Sequence, residues 1–220
     1  MQLDSVNLGQ ERMLQNKHRV ERTGIFKFPV ERSVKVTKLG LEEDVIVSKK
    51  HHGGPDQAVY IYGGVDYEWW SKELKKEILP GTFGDNLTIS DLESAMFNAG
   101  DALHIGEVTL QVTAPRIPCE TFAARMGDPQ WVKKFRRAER PGLYCRVLQE
   151  GFVSAGDPVS MERFTGKTIS ILEMFRDYYD RNKSEETIRR HLQAPIAIRD
   201  RRDREKELKK LLTQAEREER

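Results

Sequence analysis

From Thr23 to roughly Phe164 the chain alternates short apolar runs with glycine and proline breaks: "TGIFKFPV", "SVKVTKLGL", "DVIVSKK", "AVYIYG", "DNLTI", "DALHIGEVTLQVTAP" and "GLYCRVLQEGFVSAGDPVSMER". Valine and isoleucine alternate with polar residues in several of these runs, so that Val108, Leu110 and Val112 share one face of an extended segment. Many short strands joined by regular turns predict a mainly β domain closed into a barrel. Two insertions break the pattern with aromatics and charges at helical spacing, at 63–78 and 128–139. Beyond "FTGKT" the texture becomes helical, in "ISILEMFRDYYDRN", "SEETIRRHLQA" and "PIAIRDRRDREKELKKLLTQAEREER". Ser184 followed by Glu185 and Glu186 reads as a helix N-cap with acids in the first turn, where the helix dipole favours them. Pro195 separates the second and third of these helices, and Leu208, Leu211 and Leu212 give the last one an apolar stripe. The expected organisation is a β domain over 1–164 and a small three-helix domain over 168–220.

Composition narrows the class. The 220 residues carry 37 Lys and Arg against 35 Asp and Glu, a formal net charge of +2, so nothing global demands a nucleic-acid partner and no direct nucleic-acid binding is expected. No window approaches the ~20 apolar residues that span a bilayer, and "MQLDSVNLGQERML" has no apolar core of a secretion signal. A cytoplasmic protein with reduced thiols is expected, and each of its two cysteines needs its own explanation.

Three segments carry candidate chemistry. In "KKHHGGPDQAVYIY" a Gly-Gly-Pro turn offers backbone N–H groups between His51, His52 and Asp56, a loop suited to an anion or polar ligand and equally a plain turn between strands. Adjacent histidines point to opposite faces of an extended chain and make a poor metal site. In "LPGTFGDNLTI" Gly84, Asp85 and Asn86 form a turn into a strand, with the Asn86 amide able to donate and accept. In "TAPRIPCETF" Pro115 and Pro118 keep Cys119 on a loop leaving a strand, and Arg116 supplies positive charge that favours thiolate. Cys145 alternates with Leu143 and Val147 and reads as packing. Cys119 is open to three functional readings: nucleophile of a hydrolase with His51, His52, His104 or His191 as base, zinc ligand, or the single protein ligand of a metal whose remaining ligands come from a cofactor.

Taken together, Gly40, Leu41 and Asp44, "HGGPDQAVYIY" (52–62), "GTFGDNL" (81–87), "GDALHIGEVTLQVTAPRIPC" (100–119) and "GLYCRVLQEGFVSAGD" (142–157) resemble the MOSC domain, the molybdenum cofactor sulfurase C-terminal domain. The helical tail resembles the three-helix extension of YiiM-like MOSC proteins. The resemblance implies a closed β-barrel that binds the molybdenum cofactor (molybdopterin with Mo), with Cys119 as both metal ligand and catalytic residue. By position, Lys27, His52, Gly53, Gly54, Pro55, Asp56, Asn86 and Arg116 would line the cofactor cavity. The implied activity is reduction of N-hydroxylated small molecules, 6-hydroxylaminopurine among them, as detoxification, with electrons from an external donor protein. A cofactor carrier or sulfur-transfer adaptor without turnover is the alternative, an interaction module built on 168–220 is a third reading, and a homodimer is left open. Two positions depart from the family pattern: Glu43 replaces a glycine in "GLEED", and "GDNL" carries a shorter acid than the usual "GENL".

Overall fold

A computed structural model describes residues 1–16, 19–47 and 53–218. Its strands are β1 (Leu3–Gly9), β2 (Arg12–Gln15), β3 (Val20–Thr23), β4 (Lys27–Pro29), β5 (Val34–Thr37), β6 (Gly40–Leu41), β7 (Val59–Gly63), β8 (Leu87–Ile89), β9 (Ala102–Ile105), β10 (Val108–Ala114), β11 (Leu143–Gln149), β12 (Gly151–Val153) and β13 (Val159–Glu162). Its helices are α1 (Gly64–Glu73), α2 (Glu120–Met126), α3 (Trp131–Ala138), α4 (Ile171–Tyr178), α5 (Glu185–Gln193) and α6 (Ile198–Glu218).

Eight strands form one sheet in the order β13-β9-β10-β11-β7-β8-β1-β4, mostly antiparallel, with β7 and β8 parallel. The architecture is therefore mixed, a large sheet with six helices among the described residues. The expected barrel closure is not a continuous ladder. The sheet curls until the start of the chain meets the approach to β13, through an isolated Gln2–Pro158 bridge and the Leu3 N–Asp157 O (2.9 Å) and Gly156 N–Leu3 O (2.7 Å) bonds.

The alternation at Val108, Leu110 and Val112 puts all three at 0% exposure, and Cys145 packs beside them, paired with Val112 and Val59. β1, by contrast, lies outside the runs expected from patterning, because "LDSVNLG" interleaves polar residues that are nonetheless buried. Their polarity is satisfied locally: Ser5 Oγ donates to Asn7 Oδ1 (2.7 Å), and Asn7 Nδ2 to Thr88 Oγ1 (3.2 Å).

Trp70 of α1, Phe122 of α2, and Trp131 and Phe135 of α3 interlock with Phe83 in a fully buried aromatic cluster, and the Phe135–Phe175 edge contact carries it into α4. The helical tail thus shares the core of the sheet, through Ile171, Phe175 and Ile196. Ser184 caps α5 as its sequence predicts, accepting from Thr187 N (3.1 Å). Where α6 begins, Ile198 N donates to the Asp56 carboxylate (2.7 Å), which also pairs with Arg146 (3.0 Å).

Candidate functional site

The loops at one end of the sheet and the inner faces of α4, α5 and α6 enclose a cavity of about 580 Å³, within the size range of small-molecule and cofactor sites. The sheet-side wall includes Lys27, Asp44, Gly53, Gln57, Asn86, Arg116 and Cys119; the helical wall includes Tyr178, His191, Asp200 and Arg204. Close backbone approach makes the sheet side compact. A Cβ on Gly24 would lie 1.8 Å from Val45 O, so only glycine lets the 44–47 segment fold against β3 and β4.

Cys119 is half-buried on this wall and free. Its sequence placed it on a loop; the structure makes it the residue that opens α2, with its carbonyl accepting from Ala123 N (3.0 Å). The Pro115 to Pro118 stretch ends the β10 ladder, and the chain turns into the helix at the thiol. Cys145 is wholly buried, burial pushes its thiol pKa well above the usual range, and it has no part in the cavity.

Arg116 is 5% exposed and clamped between the rings of Tyr60 (4.8 Å) and Phe122 (4.6 Å). One guanidinium nitrogen donates to Phe83 O (3.0 Å), while its Nε is buried without a hydrogen-bond partner among the described residues. Gln57, which lines the same cavity, presents the converse, a buried Oε1 acceptor with no partner among the described residues. Arg116 and Gln57 both line the cavity, and each holds a buried polar atom left without a partner, at a cost of about 1–3 kcal/mol apiece.

Lys27 and Asn86 also reach the cavity, but their polar groups are spent. The Lys27 ammonium bonds the Asp44 carboxylate in a pair that is 7% and 2% exposed. Asp44 also accepts from Gly9 N (2.7 Å) and Asn86 Nδ2 (2.9 Å), and Asn86 Oδ1 accepts from Tyr60 N (3.1 Å). Burial lowers the Lys27 pKa, opposed by the adjacent Asp44. These residues form a hydrogen-bonded knot within the wall.

Of the turn residues, Gly53 lines the cavity, while Gly54 is exposed and the Asp56 carboxylate is engaged by Arg146 and α6, so neither is part of the wall. His52, with His51, lies outside the described residues. His104 is remote, bonded to Thr109 and Glu162 on the sheet. His191 does line the cavity, its Nε2 2.8 Å from Asp177 Oδ2, and burial lowers its pKa. Asp200, which sequence reasoning passed over, is pushed up to about 6 by burial. Gln57 had a signal, since it sits inside the "HGGPDQAVYIY" motif. On the helical wall only His191 had one, as a possible base; tertiary packing alone brings the rest of α4–α6 over the loops.

The two family departures are accommodated. Glu43 adopts φ 68°, the left-handed conformation a glycine would take without strain, so the turn that aims Asp44 is kept. Asp85 faces inward, away from the cavity, accepting from Tyr67 OH (2.6 Å) and Thr88 Oγ1 (2.7 Å).

No group of three or more histidine, cysteine or acidic side chains that could hold a metal ion occurs among the described residues. A metal at Cys119 would therefore bring most of its own ligands, as a dithiolene cofactor does. The cavity size, the lone soft sulfur and the orphaned Gln57 and Arg116 atoms fit such a group. Among the described residues, no helix is long and apolar enough to cross a membrane.

The family model described as the MOSC domain matches residues 48–160. The chain is 34% identical to the YflK protein of Bacillus subtilis (strain 168) over 167 residues, 76% of each chain. It is 30% identical over 149 residues to a protein of Gibberella moniliformis (strain M3125 / FGSC 7600) named as a reductase, a stretch covering 66% of this chain and 27% of that one. The crystal structure of YiiM from Geobacillus stearothermophilus superposes with a TM-score of 0.76 at 27% identity, covering 94% of this chain and 98% of the other.

Proposed function

This chain belongs to the MOSC domain family, and from that premise we propose that it is a molybdenum-cofactor-dependent reductase of N-hydroxylated compounds, including N-hydroxylated bases such as 6-hydroxylaminopurine. The observation that carries the proposal is the free Cys119 thiol on the wall of a cavity that Arg116 and Gln57 also line, each with a buried polar atom that has no partner among the described residues. The kinship with a fungal protein named as a reductase supports the oxidoreductase class.

Bound molybdopterin would supply the two-electron redox chemistry. Cys119 would give the metal its one protein thiolate. Arg116, held between two rings, would set its positive charge beside the cofactor's anionic oxygens, and Gln57 on the same wall would present its side-chain amide to the pterin edge. Lys27, Asp44 and Asn86 would hold the wall in shape. The overall change is R–NHOH + 2 e⁻ + 2 H⁺ → R–NH2 + H2O. Asp200, protonated more readily than an ordinary carboxyl and lining the cavity, would deliver a proton.

The test is turnover of 6-hydroxylaminopurine with chemically reduced methyl viologen. Wild-type protein made in a cofactor-competent host should produce the amine, and Cys119→Ser should lose the activity by about 10²-fold or more. Wild-type protein that binds the cofactor, has no turnover with viologen and passes the cofactor to an apo-enzyme would be a carrier instead.

A further inference from the structure

Helix α6 packs through Arg201, Arg204, Leu208 and Leu211, all half-buried, with Arg201 donating to the carbonyls of Leu192 and Ala194 (2.7 Å each). At about 100° per residue these four positions span roughly 80° of the helix circumference. Directly opposite, Arg199, Arg202, Lys206, Lys209, Lys210 and Arg217 fall within an arc of roughly 100° that contains no acidic residue. The stripe is about 27 Å long at 1.5 Å per residue. Among the described residues, Arg202, Lys209, Lys210 and Arg217 make no ion pair, and Lys206 reaches only Asp203, at 3.3 Å on the arc's margin. Lys206, Lys209, Lys210 and Arg217 line a shallow groove of their own.

A chain with net charge +2 has therefore concentrated cations on one exposed helix face. The stripe starts at the cavity, because Arg199 and Asp203 belong to its wall. The reaction proposed above needs two electrons per turnover, and the two cysteines are separate free thiols, so no dithiol in the chain can supply them. We infer that this stripe is the docking surface for an acidic redox protein, such as a flavodoxin-type electron donor, which seats beside the cavity mouth. The occupant follows from charge complementarity and from the stripe's origin at the cavity. α6 has no aromatic residue to stack on bases, and with Leu208 and Leu211 facing the protein only Ile198 and Leu212 are exposed, too few apolar side chains to make a face for a bilayer.

The inference rests on the proposed reductase activity, and the experiment separates the two. The variant Lys206→Glu/Lys209→Glu/Lys210→Glu, compared with wild type, is driven by reduced methyl viologen, which needs no docking, and by photoreduced flavodoxin; flavodoxin binding is titrated separately by calorimetry. The variant should keep the viologen-driven rate, lose flavodoxin-driven kcat/KM by about 10-fold or more at low salt, and lose the decline with ionic strength that wild type shows. Flavodoxin binding should weaken in parallel, whether or not turnover is seen. A variant that binds and accepts electrons like wild type overturns the docking surface. So does a wild type that works with viologen and ignores flavodoxin, or one whose stripe captures RNA or anionic vesicles in its place. Wild type inactive with viologen strikes the reductase reading, and the calorimetric arm still decides the surface.

Discussion

Replacing Asp44 by alanine removes the acceptor at the centre of the knot within the cavity wall. Lys27, 7% exposed, would lose its carboxylate partner, and Gly9 N and Asn86 Nδ2 would lose their 2.7 Å and 2.9 Å acceptors. Breaking one side of a buried ion pair costs about 3–5 kcal/mol, and Lys27 can escape part of it by giving up its proton, since burial already lowers its pKa. A net loss of about 4 kcal/mol corresponds to a fall in Tm of about 8–16 °C for a chain of this size. The sign of the pH dependence follows. In Asp44→Ala the unfolded chain holds the Lys27 proton more tightly than the folded one, so stability should recover as pH rises from neutrality towards 9. Urea and thermal unfolding of Asp44→Ala and of the neutral pair Lys27→Met/Asp44→Asn make the assay. The double variant should regain more than half of the loss, because the buried uncompensated charge is gone. Asp44→Ala within about 1 kcal/mol of wild type, or a double variant no better than the single, would refute the reasoning.

In native cofactor-free protein, a thiol reagent should titrate Cys119 and leave the 0% exposed Cys145 untouched until the chain is unfolded; reaction of both at equal rates would contradict the packing. Glu43→Gly should raise Tm by about 1–3 °C, because relief of the left-handed strain, about 1 kcal/mol, outweighs the exposed Arg32–Glu43 pair at 2.6 Å; a drop would show the turn is not strained. Asp200→Asn should stabilise by on the order of 2–3 kcal/mol at pH 7.5 and by nothing near pH 3.5, since burial lifts the folded carboxyl from 3.8 to about 6 and the cost of ionising it builds up through that window. Unfolding curves at both pH values check the difference.

The strands with strict alternation, such as Val108, Leu110 and Val112, were legible in sequence because one face meets the core and the other does not. β1 was not, because its buried Ser5 bonds Asn7, and Asn7 in turn is matched by Asp85 and Thr88, about 80 positions away in sequence. The Cys119 segment was legible as chemistry, but α2 behind it was hidden by the two prolines that suggested a loop. At the site, side-chain type identified residues that reach the wall, Lys27, Asn86 and Arg116, without revealing which still have a free polar atom. That depends on pairing across the fold, which engages the Asn86 amide on both sides and leaves Gln57 Oε1 without a partner among the described residues. The cavity's second wall depends on how α4–α6 dock on the sheet, which no local pattern in 168–220 encodes.

The most direct test of the central claim, that Cys119 anchors molybdenum in this cavity, is molybdenum and pterin analysis of protein purified from a cofactor-competent host, wild type beside Cys119→Ala. Wild type should carry close to one molybdenum and one pterin per chain, and the variant should lose the metal while retaining its fold by circular dichroism. A variant that keeps wild-type molybdenum, or a wild type without molybdenum or pterin from such a host, would contradict it.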